Sequence, residues 1–101
     1  MKKHLFVIIF FLLSWAIFAQ SETAITNFIR GNMYFENNDY NRAIIEYTEA
    51  IRRNPNYVEA YNNRGVVYTI NGDYDRAIAD WEIVLQFFSK QFTSYGRHWN
   101  G

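Results

Sequence analysis

The feature that most constrains this chain is an internal repeat with a period of 34 residues. Shifted by that period, residues 24–57 align with residues 58–91 without a gap, and nine aligned positions are identical. A fixed period of this size is typical of proteins that stack one supersecondary unit along an axis. We therefore expect two copies of one unit. The identical pairs are Arg30 and Arg64, Gly31 and Gly65, Tyr34 and Tyr68, Asn37 and Asn71, Asp39 and Asp73, Tyr40 and Tyr74, Arg42 and Arg76, Ala43 and Ala77, and Ile44 and Ile78.

Each copy has the pattern of a helix, a turn and a second helix. The break falls at residues 37–39 in the first copy and at residues 71–73 in the second. Asparagine and glycine at these breaks accept the left-handed backbone of a tight turn. Asp39 and Asp73 follow directly and are expected to cap the next helix, since an aspartate side chain accepts hydrogen bonds from the first free amides. The sequence therefore predicts an all-α fold.

The spacing of small and aromatic residues resembles the tetratricopeptide repeat over residues 24–91. Glycine and alanine let two helices cross closely, and aromatic side chains fill the space beside the crossing. The resemblance implies two helix-turn-helix units, residues 24–57 and 58–91, stacked as a short right-handed solenoid. The residues that carry it are Gly31 and Gly65, Tyr34 and Tyr68, Ala43 and Ala77, Tyr47 and Trp81, and the closing proline Pro55.

The second copy departs from this pattern at its end. Ser89 stands where the first copy has proline, so the last helix is predicted to continue into an aromatic tail, residues 92–101. Phe88, Phe92, Tyr95 and Trp99 then share one helical face. Three interpretations stay open for this face: a cap over the last unit, a dimerisation surface, or the remnant of a truncated third repeat.

Residues 1–19 have the pattern of a secretory signal peptide. Lys2 and Lys3 precede fourteen uncharged residues, and Ala19 is the expected cleavage position. Ile17 fits the cleavage pattern poorly, so an uncleaved membrane anchor is the second interpretation. Residues 20–23 are expected to form a linker. The predicted localisation is export, periplasmic or secreted.

Composition excludes several classes of function. The chain has ten basic and ten acidic side chains, so no bulk positive charge directs it toward nucleic acid. It has no cysteine, which excludes a disulfide framework and a thiolate nucleophile. Apart from the leader, His98 is the single histidine. We therefore expect no enzyme activity, no metal and no cofactor. Arg30 and Arg64 are expected to pair with Glu46 and Asp80 between helices.

In the tetratricopeptide family, the first helices of the repeats line a concave surface that binds peptides. The resemblance therefore implies a peptide-binding set on the two first helices. Asn32 and Asn63 match two asparagines of a clamp by which some relatives hold a partner's terminal carboxylate. Phe28 replaces the first clamp lysine, and Arg97 falls near another cation position only if the tail continues the register. The implied set is Phe28, Asn32 and Phe35, then Asn62, Asn63, Val66 and Ile70, with Ile25 and Thr69 beside them.

The predicted function is a non-enzymatic, exported adaptor that binds a neutral or hydrophobic protein segment in this surface. Asparagine amides can bond to the backbone of a peptide without demanding a sequence. Three alternatives remain. Asn62 and Asn63 could be ordinary solvated side chains, the aromatic tail could drive homodimerisation, or the leader could tether the repeats to a membrane.

Overall fold

The computed structural model describes residues 2–20 and 22–99, and the side chains of residues 2–16 and 22–93. Every regular element in these ranges is an α-helix, so the predicted all-α fold is confirmed. Helix α2 packs on α3, α3 on α4, and α4 on α5, as in a short solenoid of helix pairs. The helices are α1 (Lys2–Gln20), α2 (Ala24–Glu36), α3 (Tyr40–Arg53), α4 (Val58–Ile70) and α5 (Tyr74–Trp99).

The turns inside the two helix pairs form as predicted. Asn38 has φ 61° and Gly72 has φ 80°, the left-handed region that asparagine and glycine tolerate best. Asp39 accepts a hydrogen bond from the amide of Arg42 at 3.4 Å, and Asp73 accepts one from the amide of Arg76 at 3.4 Å. The predicted caps are therefore confirmed, and both second helices begin directly after them.

Each helix pair crosses at its glycine. A β-carbon on Gly31 would lie 2.6 Å from the Tyr47 ring, and one on Gly65 would lie 2.7 Å from the Trp81 indole nitrogen. The aromatic side chain therefore sits directly on the glycine backbone in both pairs. The central core, formed by Ala43, Tyr47 and Val67, joins α3 to α4. The two pairs are thus joined by the same tyrosine that closes the first crossing.

The predicted ion pairs between first and second helices are also confirmed. Arg64 binds both carboxylate oxygens of Asp80, at 2.9 and 2.7 Å, and Arg30 lies 3.4 Å from Glu46. The ion pair of Arg64 and Asp80 is deeply buried, with the two side chains 15% and 4% exposed. The structure adds that Arg64 also reaches the hydroxyl of Thr48 on α3 at 3.1 Å.

Helix α1 contributes no part of the packed core formed by α2–α5. Its apolar side chains from Leu5 to Leu13, and Trp15, are largely exposed. Among the described residues, no helix combines the length and the apolar character needed to span a membrane.

Helix α5 runs without a break from Tyr74 to Trp99. No turn separates the tail from this helix, so the tail does not start the first helix of a third repeat. Phe88 and Phe92 are 59% and 82% exposed. Of the three interpretations left open, the cap is therefore wrong for these two side chains, because α5 is twice as long as α4 and they stay exposed. The side chains of Tyr95, Arg97 and Trp99 lie outside the described residues.

Candidate functional site

A groove of about 250 Å³ lies where the two first helices, α2 and α4, approach each other over α3. The 34-residue repeat produces this arrangement, because it places the first helix of each unit on the same side of the stack. The lining residues are Asn32, Phe35 and Glu36 from α2, Tyr47 from α3, and Asn63 and Val66 from α4.

Two asparagine amides are fixed side by side in the groove. The hydroxyl of Tyr47 donates a hydrogen bond to the Oδ1 of Asn32, and the Nδ2 of Asn63 donates to the same oxygen at 3.0 Å. These bonds consume the Asn32 oxygen and one N–H of Asn63. Among the described residues, no side-chain hydrogen bond uses the Nδ2 of Asn32 or the Oδ1 of Asn63. The groove therefore keeps a fixed donor beside a fixed acceptor, the combination that a peptide backbone requires.

Tyr47, which reaches the groove from α3, fixes this pair of amides through its hydroxyl. Burial raises the pKa of its hydroxyl above the ordinary value of 10.0, the charge of Glu36 adds to the rise, and the amide of Asn63 opposes it. The folded protein therefore prefers the neutral phenol, which donates to Asn32. A group whose pKa is raised on folding stabilises the fold fully below its unfolded pKa, and that contribution is lost as the pH rises above it.

Replacing Tyr47 with phenylalanine tests this role. We expect the free energy of unfolding to fall by about 1 kcal/mol at neutral pH, because Asn32 loses one hydrogen bond. In the unmodified chain the free energy of unfolding should fall as the pH rises above about 10, and the variant should show a smaller fall. Part of the fall should remain, because burial and Glu59 also raise the pKa of Tyr57. Urea unfolding at a series of alkaline pH values measures both effects, and an unchanged pH dependence would contradict the assignment.

The charge in the groove is negative. Glu36 is exposed at its edge, and none of the six lining side chains is cationic. A carboxylate clamp needs cations that converge on the bound oxygens. Such cations are absent from the described lining, although Asn32 and Asn63 lie together. The groove thus has two asparagines and no cation among its lining side chains.

The structure brings together four of the predicted binding residues, Asn32, Phe35, Asn63 and Val66. Phe28 does not line the groove. Its ring packs against the rings of Tyr47 and Tyr57, at centroid distances of 5.9 and 5.0 Å, and so belongs to the core. Three other predicted residues lie outside the groove lining: Asn62, Ile70 and Ile25 are exposed. Thr69 donates its hydroxyl to the carbonyl of Gly65 within α4, at 2.9 Å.

Sequence reasoning missed two lining residues, Tyr47 and Glu36. Tyr47 was recognised only as the packing aromatic of its repeat, because periodicity assigns a side chain to a face and does not show where the end of a long side chain lies. Glu36 could have been found, since it lies one helical turn after Asn32 on α2 and must share its face. With Tyr47 and Glu36 included, the site is more polar than predicted and carries a negative charge.

Other parts of the described chain offer weaker sites. The described side chains, those of residues 2–16 and 22–93, include no group of three or more placed to bind a metal ion. A second depression, of about 570 Å³, lies beside the turn of the second pair. Two of its polar lining residues are already paired, since Asp73 bonds to the amide of Arg76 and to its guanidinium. Its lining residues are Asn41, Ile44, Ile45, Tyr68, Asn71, Asp73 and Arg76.

Comparison with known proteins agrees with this architecture. A family model described as TPR repeat matches residues 31–72, and one described as Tetratricopeptide repeat matches residues 58–90. Hsp70-Hsp90 organizing protein 3 of Arabidopsis thaliana is 51% identical to this chain over 35 residues. Hsp70-Hsp90 organizing protein 1 of the same organism is 54% identical over 35 residues. Each match covers 35% of this chain and 6% of the relative, so the similarity extends over a small part of those proteins.

Proposed function

Because this chain carries tetratricopeptide repeats across residues 31–90, we propose that it is a non-enzymatic module that binds an extended protein segment in the groove between α2 and α4. The observation that carries the proposal is the fixed pair of amides. Asn32 offers a donor and Asn63 an acceptor, held in place by Tyr47. Phe35 and Val66 beside them provide apolar contact for alternate side chains of an extended segment.

The groove favours an internal, uncharged or basic segment over a free carboxyl terminus. A terminal carboxylate would meet Glu36 and no lining cation, so its desolvation would go uncompensated. A lysine or arginine side chain of the bound segment would pair with Glu36 instead. The names of the two relatives, organizing proteins of Hsp70 and Hsp90, support a role in bringing other proteins together. They do not identify the partner of this chain.

Affinity capture with matched variants tests the proposal. Val66→Glu places a charge in the groove, and Ile45→Glu makes the same change on α3, at a side chain that is 63% exposed and outside the groove lining. We expect a groove partner to be retained by the unmodified chain and by Ile45→Glu. Its recovery on Val66→Glu should fall about tenfold or more, because a buried unpaired carboxylate costs over 1.4 kcal/mol. Quantitative mass spectrometry measures the recovery. Equal recovery on all three baits would reject the groove as the binding site.

Asn63→Ala then isolates the hydrogen-bond contribution. It removes the acceptor and leaves the bond from Tyr47 to Asn32 in place. A captured segment should lose about 1 kcal/mol of binding free energy, roughly a fivefold increase in Kd, measured by titration calorimetry. Asn32→Ala is less suitable, since it also leaves the buried hydroxyl of Tyr47 without its acceptor.

We further propose that the packed helices α2–α5 act outside the cytoplasm after removal of residues 1–19. The pattern of the leader supports this, and none of the core residues described comes from α1, so we expect the packing of the repeats to survive its removal. Mass spectrometry of the exported protein should find an N-terminus at Gln20. An N-terminus at Met1 in the membrane fraction would favour the tethered alternative instead.

Self-association through α5 is the second candidate function. It is favoured by Phe88 and Phe92, whose exposed rings extend an apolar face along the helix. Light scattering on the chain from Gln20 onward should then show a mass that rises with concentration in the micromolar range, and a stable monomer would reject it.

A further inference from the structure

Two apolar stripes stand exposed at opposite ends of the stack of helices. The α2 stripe consists of Ile25, Ile29 and Met33, spaced by four residues and each more than half exposed. The α5 stripe consists of Ile78, Trp81 and Leu85, on one face of the last helix and between about one third and two thirds exposed. Exposed apolar side chains aligned in this way are typical of protein contact surfaces.

The internal repeat shows what these stripes correspond to inside the molecule. Thirty-four residues before the α5 stripe, α3 carries Ile44, Tyr47 and Ile51, which are half-buried or buried. Tyr47 is only 1% exposed, whereas its counterpart Trp81 is 36% exposed. Helix α4 packs on α3, and no described helix packs on α5 in the same way. The α5 stripe is thus a repeat interface without its covering helix.

The α2 stripe is the matching half of that interface. Its members correspond to Glu59, Asn63 and Val67 of α4. Val67 packs with Tyr47 in the core that joins the two helix pairs, so Met33 occupies the position of a residue that faces the preceding pair. Met33 therefore lies at the position through which α4 packs on α3, whereas Ile29 matches the groove residue Asn63 and Ile25 matches the exposed Glu59.

Three contacts across the internal interface have chemically compatible counterparts after a shift of 34 residues. Arg64 bonds to Thr48, and the shifted pair is Arg30 with Glu82, which have opposite charges. Asn63 bonds to Asn32, and the shifted pair is Ile29 with Val66, both apolar. Val67 packs on Tyr47, and the shifted pair is Met33 with Trp81, a thioether beside an aromatic ring.

We propose that two copies of this chain associate head to tail, with the α2 stripe of one copy on the α5 stripe of the next, in the geometry of the internal α3–α4 interface. The contact is heterologous, so each dimer keeps one free stripe of each kind and can add further copies. It also places the α2 helix of the second copy beside α4 of the first, which extends the groove by one more first helix. The association does not depend on whether the groove binds a partner, so the two proposals can fail separately.

Cross-linking between single-cysteine variants tests the orientation in the full chain, which has no cysteine of its own. Ile29 of one copy and Val66 of the next are the positions that match Asn63 and Asn32 after the 34-residue shift, and Asn63 bonds to Asn32 at 3.0 Å within one chain. The two variants are therefore Ile29→Cys and Val66→Cys. We expect a mixture of these two variants to cross-link through a short bis-maleimide, and each variant alone to give background yield. Adding Met33→Asp to the Ile29→Cys copy should lower the yield about tenfold, because it places an unpaired carboxylate against Trp81.

Leu85→Cys alone distinguishes the competing arrangement. A two-fold symmetric dimer through α5 brings this position against itself and gives a cross-link with a single variant. Such a product, together with background yield from the Ile29→Cys and Val66→Cys mixture, would overturn the head-to-tail arrangement. A yield from the mixture that Met33→Asp leaves unchanged would overturn it as well, because the contact would then lie elsewhere, for example between α1 helices.

Discussion

Replacing Asp80 with asparagine is expected to lower the free energy of unfolding by about 3 kcal/mol. Asp80 is 3% exposed and accepts two hydrogen bonds from one edge of the Arg64 guanidinium. Burial lowers the pKa of Arg64, but the hydrogen bonds and charge of Asp80 outweigh it and hold the pKa above its ordinary value. Arg64 stays charged in the variant, because a guanidinium is not deprotonated in proteins. Its remaining neighbours are the hydroxyl of Thr48 and the rings of Tyr61 and Tyr68. Urea unfolding followed by circular dichroism measures the loss.

Glu46→Gln is the matched control for this prediction. Glu46 occupies the same repeat position, but its partner Arg30 is 37% exposed and also bonds to Glu22 at 3.0 Å. The free energy of unfolding of the control should fall by about 1 kcal/mol. Arg30 is partly exposed and keeps Glu22 as a partner, so it tolerates the loss of the Glu46 charge. Replacing both Arg64 and Asp80 with leucine and methionine side chains should recover much of the loss in Asp80→Asn. Equal losses of unfolding free energy in Asp80→Asn and Glu46→Gln would show that burial does not make the Arg64–Asp80 ion pair the more important one.

Gly31→Ala is expected to lower the free energy of unfolding by about 2 kcal/mol, even though alanine is the better helix former by about 1 kcal/mol. The added methyl group would lie 2.6 and 2.7 Å from two ring carbons of Tyr47. Tyr47 is enclosed in the core and tied to Asn32, so its ring has little room to move. The helices must then separate, which loosens the interface between the two pairs.

Gly65→Ala makes the same substitution at the second crossing and should change the free energy of unfolding much less. Its methyl group would meet the indole of Trp81, which lies partly in solvent and can shift outward. The gain in helix propensity then offsets most of the clash. Thermal or urea unfolding of the two variants side by side gives the comparison. If Gly65→Ala is the more damaging change, the second crossing is packed as tightly as the first, contrary to this structure.

The repeat made most of the fold predictable. Nine identities at one period locate the turns, the caps and the paired charges, because a helix pair of this kind needs a left-handed turn residue, a capping aspartate and a small residue at the crossing. All of these were confirmed at Asn38, Gly72, Asp39, Asp73 and the two glycines. Equivalent positions in the two copies have the same structural role, so each prediction rests on two positions.

The candidate site was predictable only in part. Register correctly placed Asn32 and Asn63 together, since residues on neighbouring first helices meet at a fixed offset. It failed for Phe28, because a large ring gains more from contact with Tyr47 and Tyr57 than from an exposed position on the concave surface. The sequence also left open whether Phe92 is covered or exposed, since an apolar pattern does not reveal whether a second element exists to cover it.

Mapping a bound segment by NMR is the most direct test that the groove between α2 and α4 is the binding site. A segment captured by the unmodified chain and lost on Val66→Glu would be titrated into isotope-labelled protein while amide and side-chain amide signals are recorded. The largest shifts are expected at Asn32, Phe35, Asn63 and Val66, including the side-chain amides of the two asparagines. Shifts concentrated on Ile78, Trp81 and Leu85, with the groove signals unchanged, would contradict the account and place the partner on the end of the stack.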